Sequence, residues 1–171
     1  AYDAFVDQLP TSDESAGALD ETAFGDWVVD RTTDPLSDET RITMILLAET
    51  GRSQYGNPIA LIFRQQGNVP EVFVSWDDYF SEDRQRVTHR IDDGEPSTLR
   101  WSVSTDNSAT FYPRDTTEFV DKLLNAERLV LRTTPYNDSP VTVTFRITGL
   151  RAVAEQYHDD LPGWTVTDGG E

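Results

Sequence analysis

Between Trp101 and Leu150 the chain reads WSVSTDNSATFYPRDTTEFVDKLLNAERLVLRTTPYNDSPVTVTFRITGL. β-Branched and aromatic residues alternate with polar ones, the pattern of half-buried strands. TDN and TPYNDSP carry the Asn, Asp, Ser and Pro chemistry that stops a strand and turns it. One helical stretch interrupts the series. Asp115 or Thr116 is placed to cap it, and Phe119, Val120, Leu123 and Leu124 form its apolar stripe. Isolated strands leave half their backbone groups unpaired, so a segment of this kind must find further strands elsewhere in the chain.

The upstream sequence supplies them. Trp27-Val28-Val29, Arg41–Ala48, Ile59–Arg64 and Glu71–Trp76 are strand-like, the last two forming a hairpin around QQGNVP. Gln85–Ile91 places Val87, His89 and Ile91 on one face. Leu99–Ser104 and Ala109–Tyr112 follow, then Leu129–Thr133 and Val141–Thr148, and a short helix from Leu150 to Tyr157 closes the pattern. The spacing predicts a mainly β protein: an antiparallel β-sandwich or barrel-like domain with one packed α-helix and a short C-terminal helix. The domain is expected over residues 26–164, after an acidic lead-in or tether (1–25) and before an acidic tail (165–171).

With 171 residues and 11% aromatic side chains, the chain is long enough to form a single core, burying roughly 70% of its unfolded surface. A net charge of −17 and a pI near 4.3 argue against nucleic acid and against anionic membrane surfaces. Lys122 is the only lysine. An acidic, lysine-poor surface suits first a protein kept soluble in salty surroundings, and second an acidic partner-binding face. The absence of cysteine removes disulfides, thiolate catalysis and Cys-based metal sites. No apolar run approaches the length of a membrane span. The chain opens at Ala1 without Met, as a processed product would, and targeting information is expected in a segment not present here.

Catalytic sets are hard to assemble. The pairs Asp77/Asp78, Asp92/Asp93 and Asp159/Asp160 sit in polar loops, whereas a glycosidase needs carboxyls facing each other across a cleft with one pKa raised. His89 and His158 lack metal-ligand spacing, and His89 reads as a half-buried histidine satisfied by a hydrogen bond. Asp92, Asp93 and Glu95 could hold Ca²⁺ only loosely. Nucleophile elbows, P-loops and dinucleotide fingerprints are missing, so no cofactor is expected. Arg64, Arg90 and Arg132 are placed to pair with turn carboxylates and pin adjacent strands. Aromatics at loop boundaries remain, core packing being their first reading. The candidate partner-binding residues are Trp76 and Tyr79 in the WDDYF loop, with Tyr136 and Asn137 in TTPYNDSP.

The ordered set DPLSD, ALIFR, EVFVSWDDY, VTHRIDDG, WSVSTDNSATFYP, the FVDKLL helix, LVLRTTPYNDSPVTVTFRITGL and a closing GW resembles the VasI/TagO family of type VI secretion-associated proteins over about residues 26–164. The matching positions are Arg64, Trp76, Arg90, Trp101, Phe111, Pro135, Tyr136, Phe145, Gly149, Leu150 and Trp164. The resemblance implies an exported, periplasmic or lipid-anchored envelope protein. Such a protein would act without catalysis as an accessory that binds a protein partner in the envelope or the secretion machinery. Gln65 and Pro162 stand where the family's pattern suggests cysteines, so a disulfide staple worth about 2–4 kcal/mol is missing. A structural component of a particle or surface layer is the second reading, and an acidic-residue glycan or cell-wall hydrolase the third.

Overall fold

The computed structural model describes residues 24–164. Nine strands form a continuous antiparallel sheet: β1 (Val28–Thr33), β2 (Thr40–Arg52), β3 (Pro58–Gln66), β4 (Val69–Ser75), β5 (Arg84–Ile91), β6 (Ser97–Val103), β7 (Ala109–Phe111), β8 (Arg128–Thr133) and β9 (Val141–Arg146). Their spatial order is β1-β2-β3-β4-β7-β6-β5-β8-β9, and β9 also pairs with β2, Thr50 opposite Thr144. Eight strands, β2 to β9, therefore close into a barrel with β1 as an added strand. Closure decides between the sandwich and the barrel that the strand pattern left open.

The seam explains the ninth strand. β2 is thirteen residues long and its register shifts between Leu47 and Arg52, so it bends. Its second half meets β9 at Thr50, while its first half, Thr40 to Ile45, pairs with β1 along the same edge. β1 thus takes up the ladder where β9 leaves it, and that edge of β2 keeps its hydrogen bonds. The Trp27 indole donates to the Ile147 carbonyl at 3.3 Å and ties β1 to the chain leaving β9.

Inward positions follow the period of two. Leu46, Leu61 and Val74 align across β2, β3 and β4, and Thr110 lies opposite Val74 on β7. Ile42, Met44, Ile59, Phe63, Val87, Trp101, Leu129, Leu131, Val143 and Phe145 fill the rest of one core. Outward-facing Ile45, Ala60 and Ile62 make a separate small cluster with Phe73.

Antiparallel order places alternate connections at opposite ends. At one end lie the loops 53–57, 76–83, 104–108 and 134–140, and Trp76 and Phe80 plug the barrel there, both fully buried. The other end is closed by helix α1 (Thr116–Leu124), whose Phe119, Val120, Leu123 and Leu124 point inward. Asp115 caps the helix, accepting from the backbone amides of Thr117 and Glu118. Helix α2 (Leu150–Gln156) follows β9 and buries Leu150, Val153 and Ala154. Phe24, assigned by sequence to the lead-in, is packed into the core beside Tyr157. Residues 1–23 of the lead-in and the acidic tail lie outside the described residues.

Candidate functional site

The loop end of the barrel gathers exposed aromatic side chains over a rigid polar frame. Loop 76–83 is its hub. Tyr136 donates its backbone N–H to the Tyr79 carbonyl at 2.9 Å, and the two rings meet edge to face at 5.9 Å. The side chain of Gln54 donates to Asp78 at 2.5 Å, and that of Asn57 donates to Asp77. Phe80 and Asn107 complete the set: the Phe80 N–H donates to the Asn107 carbonyl at 2.9 Å, and the Asn107 amide donates to the Phe80 carbonyl at 2.8 Å. Four loops from distant parts of the sequence are thereby locked to one another.

Local sequence explains why each loop holds its shape. Asp77, Asn107 and Asn137 all take positive φ, which Asn and Asp tolerate better than most residues. The Ser53 hydroxyl accepts from the N–H groups of Tyr55 and Asn57, each at 3.2 Å, and so builds the turn that carries Tyr55. Asp106 accepts from the hydroxyls of Ser104 and Ser108, which hold its carboxyl below the ordinary carboxylate range.

Tyr55, Tyr79 and Tyr136 are 68%, 51% and 54% exposed and share this end. Large aromatic rings left in water cost free energy unless a partner covers them, and such rings are enriched at contact surfaces. Asp77, Glu82, Asp83 and Asp138 lie on the same loops, so this end is acidic as well as aromatic. Of the predicted contact residues, Tyr79, Tyr136 and Asn137 are exposed here. Trp76 is corrected: it is fully buried, its indole donates to the Thr110 hydroxyl at 2.9 Å, and it cannot reach a partner. Alternation on β4 is the reason, because Val72, Val74 and Trp76 share the inward face. Tyr55 was missed. Its signal was an aromatic between Gln54 and Gly56 in a polar turn, with nothing inward for it to fill.

The other candidates serve elsewhere. His89 points into the barrel and is only 9% exposed, yet its Nδ1 is enclosed with no hydrogen-bond partner, contrary to the satisfied histidine expected. Aromatic rings surround it instead: Phe119 at 5.4 Å, Tyr112 at 6.2 Å and Trp101 at 6.5 Å. Burial pushes its pKa below 6.5. Asp92 accepts from the backbone N–H groups of Glu127 and Arg128 at 3.0 and 2.9 Å, so it fastens β5 to the start of β8. Asp160 pairs with Arg31 at 2.8 Å. Arg64 pairs with Glu71, which is a strand residue and not a turn residue. Arg90 donates to the Gly94 carbonyl and Arg132 to the Thr142 hydroxyl, each at 2.8 Å, so neither uses the turn carboxylate expected. Among the described residues no group of three or more His, Asp or Glu converges to hold a metal.

Gln65 is buried two positions beyond Phe63 on the same face of β3, and Phe63 packs edge to face on Trp164 at 5.8 Å. Pro162 lies between the buried Leu161 and Trp164. Packing of Trp27, Phe63 and Trp164 does the holding there, with Trp27 and Phe63 5.5 Å apart.

No helix among the described residues is long and apolar enough to cross a membrane. No family model matches the chain, and no curated protein matches it in sequence. Among solved structures, the fold is similar to that of invasion associated protein B from Bartonella henselae, with a TM-score of 0.55 and 12% identity over 80% of this chain and 94% of that one. At that identity the likeness is one of fold: a small β-barrel domain shared over nearly the whole of the neighbour.

Proposed function

We propose that this chain is a non-enzymatic binding protein that engages a protein partner through the loop end of its barrel. The observation that carries the reading is the convergence of Tyr55, Tyr79 and Tyr136, exposed on loops that hydrogen bonds hold rigid. A preorganised aromatic surface loses little conformational entropy on binding. The acidic residues among the tyrosines select a partner with a basic face and raise the rate of encounter at low salt.

The resemblance to VasI/TagO proteins supports an extracytoplasmic accessory role, with the partner in the envelope or the secretion machinery. A catalytic reading finds less support. The acidic pairs at Asp77/Asp78 and at Asp92 are spent on loop and strand fastening, and Asp106 and Asp115 are both held below the ordinary carboxylate value, opposite to a general acid.

Pull-down from native envelopes at low and high salt tests the proposal. Recovery of sheath or membrane-complex components is expected with the native chain. Tyr79→Ala with Tyr136→Ala should weaken capture about tenfold or more while the fold is retained, since aromatic anchors at a contact centre contribute roughly 1–2 kcal/mol each. Equal capture by the folded double variant refutes the assignment.

A further inference from the structure

The geometry points to a second binding site, at the opposite end of the barrel, for a small organic monocarboxylate with an apolar body. The site is the cleft of about 530 Å³ between the β5–β6 hairpin and α1. Its volume lies within the range of small-molecule pockets. None of the chemistry of the loop end is involved.

One part of the lining is apolar. Tyr112 stacks on Phe119 at 4.2 Å with an interplanar angle of 12°, and Ile91 and Leu99 extend this part along β5 and β6. His89 lines the same cleft, more than nine-tenths buried. With Nδ1 enclosed, Nε2 is the ring nitrogen left to meet a ligand. Burial keeps the ring neutral at pH 7 and likewise keeps the Tyr112 phenol protonated, so both can donate to a carboxylate oxygen.

The mouth offers two cations to a head group. Lys122, the only lysine of a chain carrying −17, stands there with Arg114. Lys122 meets Glu118 only at 3.7 Å with both side chains largely exposed, a contact that yields readily to a stronger one. Arg114 makes no ion pair among the described residues. Glu95 and Glu118 line the same cleft, so its lining carries no net charge; this opposes a doubly charged head such as phosphate, and a single carboxylate is held by direct pairing with Arg114 and Lys122. The apolar part of the lining then demands a body beyond the head group.

Octanoate is a suitable probe, followed by calorimetry and by the NMR resonances of the His89 and Tyr112 rings, with octanol and acetate as single-feature controls. Saturable binding that shifts both rings is expected, with octanol and acetate each at least about tenfold weaker. Arg114→Ala with Lys122→Ala, both on exposed positions, should weaken octanoate about tenfold or more with unchanged thermal unfolding. Three results overturn the assignment: no saturable binding up to about 10 mM, octanol binding as well as octanoate, or shifts that map away from the cleft. Unaltered affinity in the double variant overturns it as well.

Discussion

Gly51→Ala should force apart the seam that makes this sheet a barrel. Gly51 has φ +97°, and an added Cβ would collide with the Thr142 carbonyl oxygen and lie 2.8 and 2.9 Å from Cγ1 and Cα of Val143 on β9. A side chain in a left-handed conformation costs about 1–2 kcal/mol, and wedging a methyl into a packed contact about 1–3 kcal/mol more. The total of about 2–5 kcal/mol corresponds to a Tm lowered by about 5–15 °C for a chain of this size. Gly56→Ala is the internal control: φ is +81° but no heavy atom lies within 4 Å of the new Cβ, so only the backbone term of about 1–2 kcal/mol applies. Thermal and urea unfolding of the two variants measure the difference, which isolates the steric load on the β2–β9 contact. Amide exchange at Thr142 to Thr144 should quicken in Gly51→Ala alone. Equal destabilisation of the two variants, or unchanged exchange on β9, would refute the claim that β9 closes tightly on β2.

Trp76→Phe removes the buried indole donor to Thr110 and leaves space in the plug of the loop end, a loss of about 2–4 kcal/mol by urea unfolding. Adding Thr110→Val should recover part of it, since the hydroxyl is then no longer left unpaired; simple additivity of the two changes would argue against the bond. His89 sets a pH dependence. Its folded pKa lies below 6.5, chiefly through burial and then through Lys122, so as pH falls through 6.5 the unfolded chain takes up the proton first. The stability contributed by the neutral ring is complete above that value and is lost progressively below it. His89→Phe should flatten the fall in Tm between about pH 6.5 and 5, and an identical slope in the variant would count against the assignment.

Much of the secondary structure could be read from local pattern. Helix α1 begins at Thr116 with Asp115 as its cap and buries the expected four apolar residues, because capping and amphipathic spacing are local properties. The alternation on β5 placed Val87 and His89 inward correctly, since period two is fixed by backbone geometry. Local pattern failed where a residue sits at the junction of strand and loop. Trp76 reads as a loop anchor beside WDDYF, yet one more step of β4 carries it into the barrel. Tyr55 could be read as an exposed aromatic of a polar turn, but not as a neighbour of Tyr79 and Tyr136, because a turn carries no signal of what stands beside it.

What the sequence determines by itself is the set of strands, their turns, the capped helix and the acidic, cysteine-free surface, all governed by neighbours along the chain. Tertiary structure alone decides that β2 bends to meet β9, that β1 completes the abandoned edge, and that loops around Tyr55, Tyr79 and Tyr136 share one end. Pairings of that range depend on the register of a closed sheet. A single turn or stripe specifies where a strand ends, but only closure specifies which strand lies beside it.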